Sequence, residues 1–341
     1  MIRAGYMSKI GVLLINLGTP DSSSLSSVYR YLTEFLNDPR VIDLPAVPRW
    51  ILTNLLIVPF RCKKTARAYQ KIEMTNGLPL LVNSQKLQSA VAAELGSDYQ
   101  VAVAMRYGNP SIQAALNNLK HCNQLIAIPL FPHYSSAATG SAIAKLLHAL
   151  ANQWNMPKIK IINDFYNHTG FIQSYADVIK KNIGDKKPEL ILFSYHGLPE
   201  RHIDKSGCKA KCDRLHACPK ITNDNLYCYR AQCYATSHLL ATALKLEPNQ
   251  YQVVFQSRLG RTPWIKPYTD IVLNDLRQQG IKSIAIVSPS FVADCLETLE
   301  EINIRAREQW LLSGGCEFIF IPCLNDYPLW VKALASIISP S

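Results

Sequence analysis

Short runs of Val, Ile, Leu and Phe, each closed by Gly, Pro, Ser or Asn and followed by a stretch with helical spacing, recur along the chain. Eight of them read as strands. They are Ile10–Asn16, Gln100–Arg106, Leu125–Leu130 and Ile159–Asp164 in the first half, then Leu190–Ser194, Gln252–Gln256, Ser283–Val287 and Glu317–Ile321 in the second. Continuous apolar runs, rather than alternating ones, imply strands covered on both faces, as in parallel sheets flanked by helices. The pattern predicts an α/β protein with two similar three-layer domains, each on a four-stranded parallel sheet.

The third strand of each half leads into similar sequence, IAIPLFPHYSSAATGSAIAKLL and IAIVSPSFVADCLETLEEI, each running strand, Pro-containing turn, helix, as an internal duplication would. Open parallel sheets bind ligands beyond the carboxyl ends of their strands. That directs attention to Asn16, Arg106, Pro132, His196, Gln256 and Phe291. One segment breaks the pattern: Val47–Cys62 is strongly apolar, is interrupted by Pro, and runs into Arg61, Lys63, Lys64, Arg67 and Lys71. An apolar surface with a cationic flank suits docking on a membrane surface or the mouth of an apolar-ligand pocket, while a core helix with a solvated basic face is the plainer alternative.

With 341 residues, 48% of them hydrophobic and 18% charged, the chain is long and apolar enough for real cores, which excludes disordered, collagenous and small disulfide-scaffold classes. The formal net charge of +11 favours anionic partners, but the basic residues are scattered and form no recognition module, so nucleic acid is not expected. No run reaches the ~20 apolar residues of a membrane span, and no signal-peptide pattern opens the chain. A cytoplasmic protein is expected, with peripheral attachment to the inner membrane through the apolar segment. In that reducing setting ten Cys are not a disulfide framework. Cys208, Cys212, Cys218, Cys228 and Cys233 crowd into one segment, enough thiolates for a structural zinc or a 2Fe–2S cluster with one to spare.

Two further features carry chemistry. His196, in LILFSYHGLPE, stands at the carboxyl end of a buried strand, where a neutral imidazole can accept a proton or bind a metal near pH 7. Asp294, Glu297 and Glu301 follow i, i+3, i+7 spacing and would line one stripe of an α-helix, with Asp294 able to act as N-cap and Glu301 able to pair with Arg305. A His beside a carboxylate row can pass a divalent cation inward or protons outward. GxGxxG, GxxxxGK[ST] and HExxH are all absent, so dinucleotide, P-loop and zincin chemistry find no support.

The motifs LLINLGTP, AMRYGNPSI, PLFPHYSSAATGS, LFSYHGLP, FQSRLGRTPWIKPYT and FVADCLETLEEI, in this order from about Gly11 to Ile338, resemble the ferrochelatases, which insert Fe2+ into a porphyrin to make haem. The resemblance implies two Rossmann-like, chelatase-like domains with the porphyrin cleft between them. On this chain they would span 8–170, with an apolar lip at 41–62, and 171–325, with a Cys-rich insert at 205–233. A C-terminal helix at 326–341 would pack back on the first domain. It further implies that His196 and Glu297 are catalytic and meet the substrate Fe2+, with Asp294 and Glu301 as acids behind them. Leu17, Ile72, Arg106, Tyr107, Pro132, Tyr134, Trp264 and Phe291 fall at positions like the family's porphyrin lining, and Arg106 would hold propionates.

This sequence departs from the vertebrate type at Cys295, which replaces a His, and at Ser136, which replaces a cluster Cys. The insert instead resembles bacterial members with an internal 2Fe–2S cluster, which assigns Cys212, Cys218, Cys228 and Cys233 as ligands and leaves Cys208 as the alternate. The bacterial class points to protoporphyrin IX as substrate. A porphyrin or haem carrier without turnover, and a chelatase for another metal or tetrapyrrole, are the competing readings.

Overall fold

The computed structural model describes residues 9–151, 153–208, 218–258, 260 and 262–339. All eight predicted runs are strands: β1 (Ile10–Thr19), β2 (Tyr99–Gly108), β3 (Gln124–Pro129), β4 (Lys158–Ile161), β5 (Leu190–His196), β6 (Tyr251–Gln256), β7 (Ser283–Val287) and β8 (Glu317–Phe320). They form two sheets, β2-β1-β3-β4 and β6-β5-β7-β8, with every pair parallel. The two orders are the same when counted from the first strand of each sheet, which is the topology an internal duplication would leave. In such an order the chain leaves the first strand to one side and returns on the other, so the switch point lies between β1 and β3 in one sheet and between β5 and β7 in the other.

Two compact units carry the sheets. One comprises the chain up to Leu130, Ser136–Asp164 and the stretch from Trp330; the other comprises Phe131–Ser135 and Phe165–Leu329. The core of the second is built where Leu192, Val254, Ile284 and Ile286 from adjacent strands meet Leu273 and Trp310 from the covering helices, all at or near complete burial. Strand runs that are apolar at every position are thereby explained, since helices lie against the faces of the sheet.

Two glycines let the strand ends close up. Gly18 in β1 has φ +116°, and a Cβ there would stand 1.8 Å from the Tyr107 carbonyl oxygen of β2. Gly197, just past β5, presses on β6, where a Cβ would come within 2.9 Å of the Gln256 carbonyl oxygen and 3.3 Å of the Trp264 ring. Both glycines lie at the carboxyl end of a switch-point strand, and neither position has room for a larger residue.

Among the described residues three helical stretches are wound as π-helices, with i→i+5 hydrogen bonds: Leu52–Ile57, Ser136–Gly140 and Glu297–Ala306. Such stretches are rare and gather at functional sites. The second and third follow β3 and β7 respectively, in corresponding places of the two sheets. The first lies within the apolar segment, between helices Ala46–Ile51 and Val58–Gln70. That segment turns much of its apolar surface outward, with Val47 68% and Phe60 80% exposed and Trp50, Leu55 and Leu56 also exposed. Among the described residues no helix is long and apolar enough to cross a membrane.

Candidate active site

His196 is the last residue of β5, and its setting follows from uneven strand lengths. On the β6 side pairing continues to His196 opposite Gln256, but on the β7 side it ends at Phe193 opposite Val287. The backbone N–H of His196 therefore donates to Ser290 Oγ at 3.1 Å, and its carbonyl accepts from Tyr229 Oη at 2.8 Å. On the ring, Nδ1 lies 2.6 Å from the Gly197 carbonyl oxygen. A carbonyl can only accept, so the hydrogen sits on Nδ1 and the Nε2 lone pair is left for other work. Phe291 and Trp264 flank the imidazole, with ring centroids at 6.2 and 6.4 Å.

Beyond β7 the structure corrects the expected helix. No α-helix runs from Asp294; a π-helix begins at Glu297, and Asp294 precedes it in irregular chain. The reason is local side-chain bonding. Thr298 Oγ1 accepts from the Cys295 N–H at 3.0 Å and donates to Asp294 Oδ1 at 3.0 Å, taking over the helix entry. Asp294 also accepts from Asn325 Nδ2 at 2.8 Å and from the Cys323 N–H at 3.2 Å. Its carboxylate is buried and saturated with donors, so it clamps the turn to the 323–325 segment and stands apart from the other two acids.

Glu297 and Glu301 share the π-helix. The Glu297 carbonyl accepts from Gln256 Nε2 at 2.9 Å, and Gln256 Oε1 accepts from Ser194 Oγ at 2.7 Å, so one buried amide ties the helix start to β5 and β6. Glu301 accepts from Ser257 Oγ and pairs with Arg305 Nη2 at 3.0 Å, while Arg305 also holds Glu300 at 2.8 Å. Burial pushes the Glu301 carboxyl above its usual range, and the negative charge of Glu297 pushes the same way. Ser257, Arg305 and the positive form of His196 act against that rise, which brings imidazole and both carboxyls into one electrostatic group. In the sequence Gln256 is legible only as a strand end, and nothing in its neighbourhood points to Ser257.

Other candidates fall into different settings. Trp264, Phe291, Tyr134, Leu17 and Arg106 are half-buried, whereas Ile72, Pro132 and Tyr107 are buried. Arg106 is ion-paired through Nη2 with Asp38, and its Nε donates to Ser141 Oγ at 2.6 Å. Tyr107 Oη donates to Asp38 at 2.9 Å, and the Tyr107 ring lies 4.3 Å from the Arg106 guanidinium carbon. Burial works to raise the Asp38 pKa, yet hydrogen bonds from Ser141, the Arg40 N–H and Tyr107, with the charge of Arg106, bring it below its ordinary value.

In the cysteine segment, Cys208, Cys228 and Cys233 are buried and Cys218 is half-buried, while Cys212 lies outside the described residues. Cys228 caps the helix Tyr229–Leu244, and Cys233 lies one turn inside it. Burial raises the Cys233 thiol pKa well above its ordinary value, Tyr229 opposes this, and Cys218 and Cys228 add to it, so three thiols lie within electrostatic reach of one another. Arg230, also buried, sets Nη1 2.9 Å from Cys218 Sγ. Among the described residues no group of three or more His, Cys, Asp or Glu side chains has metal-holding geometry.

Comparison with known proteins shows what the chain is similar to. The family model described as ferrochelatase matches residues 9–341. A ferrochelatase of Legionella pneumophila (strain Lens) is 56% identical over 329 residues, covering 96% of this chain and 98% of the relative. One from Coxiella burnetii is 50% identical over 337 residues, covering 98% and 94%. Among solved structures, SirB from Bacillus subtilis with Fe3+ matches at a TM-score of 0.53 and 10% identity, covering 97% of this chain and 96% of that one, a likeness of fold.

Proposed function

The chain belongs to the ferrochelatase family, and from that premise we propose that His196 and Glu297 carry the chemistry, with Glu301 behind them. The protein is an enzyme of haem biosynthesis, a lyase that inserts Fe2+ into protoporphyrin IX with loss of two protons. The observation that carries the residue assignment is the free Nε2 lone pair of His196 within electrostatic reach of Glu301, whose carboxyl is pushed above its ordinary range by burial and by the charge of Glu297.

The physical problem is that a flat porphyrin holds two N–H groups in its plane and offers no lone pair to an approaching cation. A site that binds the bent ring more tightly than the flat one lowers that barrier. In our reading Phe291 and Trp264 press the ring out of plane. Nε2 of His196 takes one pyrrole proton, Glu297 takes the other and passes it to Glu301, and Fe2+ occupies the four nitrogens. Arg106 contributes charge for a propionate from a position already fixed by Asp38, and Tyr107 supports it from below. Leu17, Ile72, Pro132 and Tyr134 complete the proposed lining. Asp294 serves this scheme by holding the turn.

The cysteine segment offers the kind of donors a metal group takes. Cys218 and Cys228 lie within electrostatic reach of Cys233, the buried Arg230 stands against Cys218 in a setting that favours thiolates, and Cys212 or Cys208 would supply the fourth ligand. We propose that these residues hold a 2Fe–2S cluster, a one-electron redox group when bound; colourless protein containing zinc would make the site structural instead. The outward apolar residues of 46–60, followed by basic residues, support peripheral contact with the cytoplasmic face of the membrane.

Anaerobic protein mixed with protoporphyrin IX and Fe2+ tests the scheme. The expected result is catalytic conversion to the haem spectrum in the parent and its loss in His196→Ala and Glu297→Gln, with porphyrin binding retained. Wild-type turnover in His196→Ala would overturn the assignment, and stoichiometric binding without conversion in the parent would indicate a carrier.

A further inference from the structure

The backbone of His196 is held by side chains where the sheet stops holding it. Strand β7 ends at Val287, so the N–H and carbonyl of His196 on that side have no ladder partner. Ser290 and Tyr229 replace the missing strand. Tyr229 is the first residue of the helix Tyr229–Leu244. Its ring is buried and packs edge-on against His133 at 6.0 Å. One phenol thus ties the start of that helix to the His196 carbonyl, which has no ladder partner.

From this juxtaposition we propose that Tyr229 is a positioning residue for His196. The proposal deepens the reading in which His196 accepts a pyrrole proton. The Tyr229 hydroxyl fixes the His196 carbonyl from a helix that is not part of the sheet. A shift of the carbonyl moves the whole residue, because Nδ1 is itself tied to the next carbonyl along. Misplacing a catalytic base by a fraction of an ångström lowers the rate of the chemical step and leaves substrate binding alone.

Tyr229→Phe removes the hydroxyl and keeps the ring. In full-length protein the expected result is a kcat lowered about tenfold with KM for protoporphyrin within about twofold. The thermal melt should remain cooperative, and the imidazole NMR signal of His196, assigned by its absence in His196→Ala, should shift. An unmoved His196 signal with unchanged kcat in Tyr229→Phe would overturn the positioning role. If His196→Ala keeps wild-type turnover, it is the proton-acceptor reading that fails, whatever the NMR signals do.

Discussion

Asp38 and Glu301 are both carboxyls set near the carboxyl edge of a parallel sheet, and their surroundings move them in opposite directions. Around Asp38 an arginine, a tyrosine, a serine and a backbone N–H all donate, so the charge is matched and the acid is held below its ordinary pKa. Around Glu301 a second acid is close and fewer donors answer the cost of burial, so the proton is held more firmly. The two units have the same strand order and place a π-helix in the same position, but the first carries Ser136–Gly140 there and the second carries Glu297–Ala306. One copy of the plan surrounds its buried carboxylate with donors. The other sets Glu301 beside Glu297, and its carboxyl is pushed above the ordinary range.

Exchanging the consequences of damage is the strongest way to break this contrast. His196→Ala should lower kcat by roughly 10²–10⁴-fold with little change in melting temperature, as stopped-flow metallation and calorimetry would report. Arg106→Leu should raise porphyrin KM with little change in kcat and, by leaving Asp38 buried without its cation, cost about 3–5 kcal/mol in denaturant unfolding. If Arg106→Leu were as stable as the parent and only porphyrin KM rose, the Arg106–Asp38 pair would serve binding alone and the comparison would fail.

A smaller effect sharpens the second half of it. Glu301→Gln should lower kcat by about tenfold while stabilising the fold at neutral pH. An acid whose folded pKa is raised costs stability once pH rises from the unfolded value, near 4.5, through the higher folded one. The advantage of the Gln variant should therefore vanish in acid, where both forms are protonated, and a pH series of urea midpoints would check it.

How much of this was legible beforehand depended on range. Apolar runs such as Leu190–Ser194 announce buried strands because every position must leave water, and HGLP after one of them marks His196. The acid spacing misled because an α-helix and a π-helix share the same residues; what decides between them is Thr298 bonding back to Asp294 and Cys295, which has no periodicity. The pairing of Arg106 with Asp38 spans 68 residues, and that of Tyr229 with His196 spans 33, so neither leaves a local trace. YCYRAQC was conspicuous for its sulfur, which drew attention from the tyrosine between the cysteines and from the fact that the segment opens a 16-residue helix.

The smallest predicted effect lies beside the site. His133 is fully buried and uncharged, donates to Thr236, and is pushed down by burial from its ordinary 6.5 to about 3. Between those values the unfolded chain binds a proton that the folded chain refuses, so stability is lost as pH falls below 6.5. His133→Gln should flatten that acid limb of the stability curve without moving the pH profile of turnover. A turnover profile that did move would bring His133 into the chemistry.

A saturation library of this chain would score Gly18 and Gly197 as harshly as His196. At neither glycine does a side chain touch a reacting atom, and at both a single methyl would drive one strand off its neighbour. Tolerance maps of such a fold register where backbones are pinched as sharply as where bonds are made. A variant's failure therefore locates chemistry only when the protein that failed is still shown to be folded.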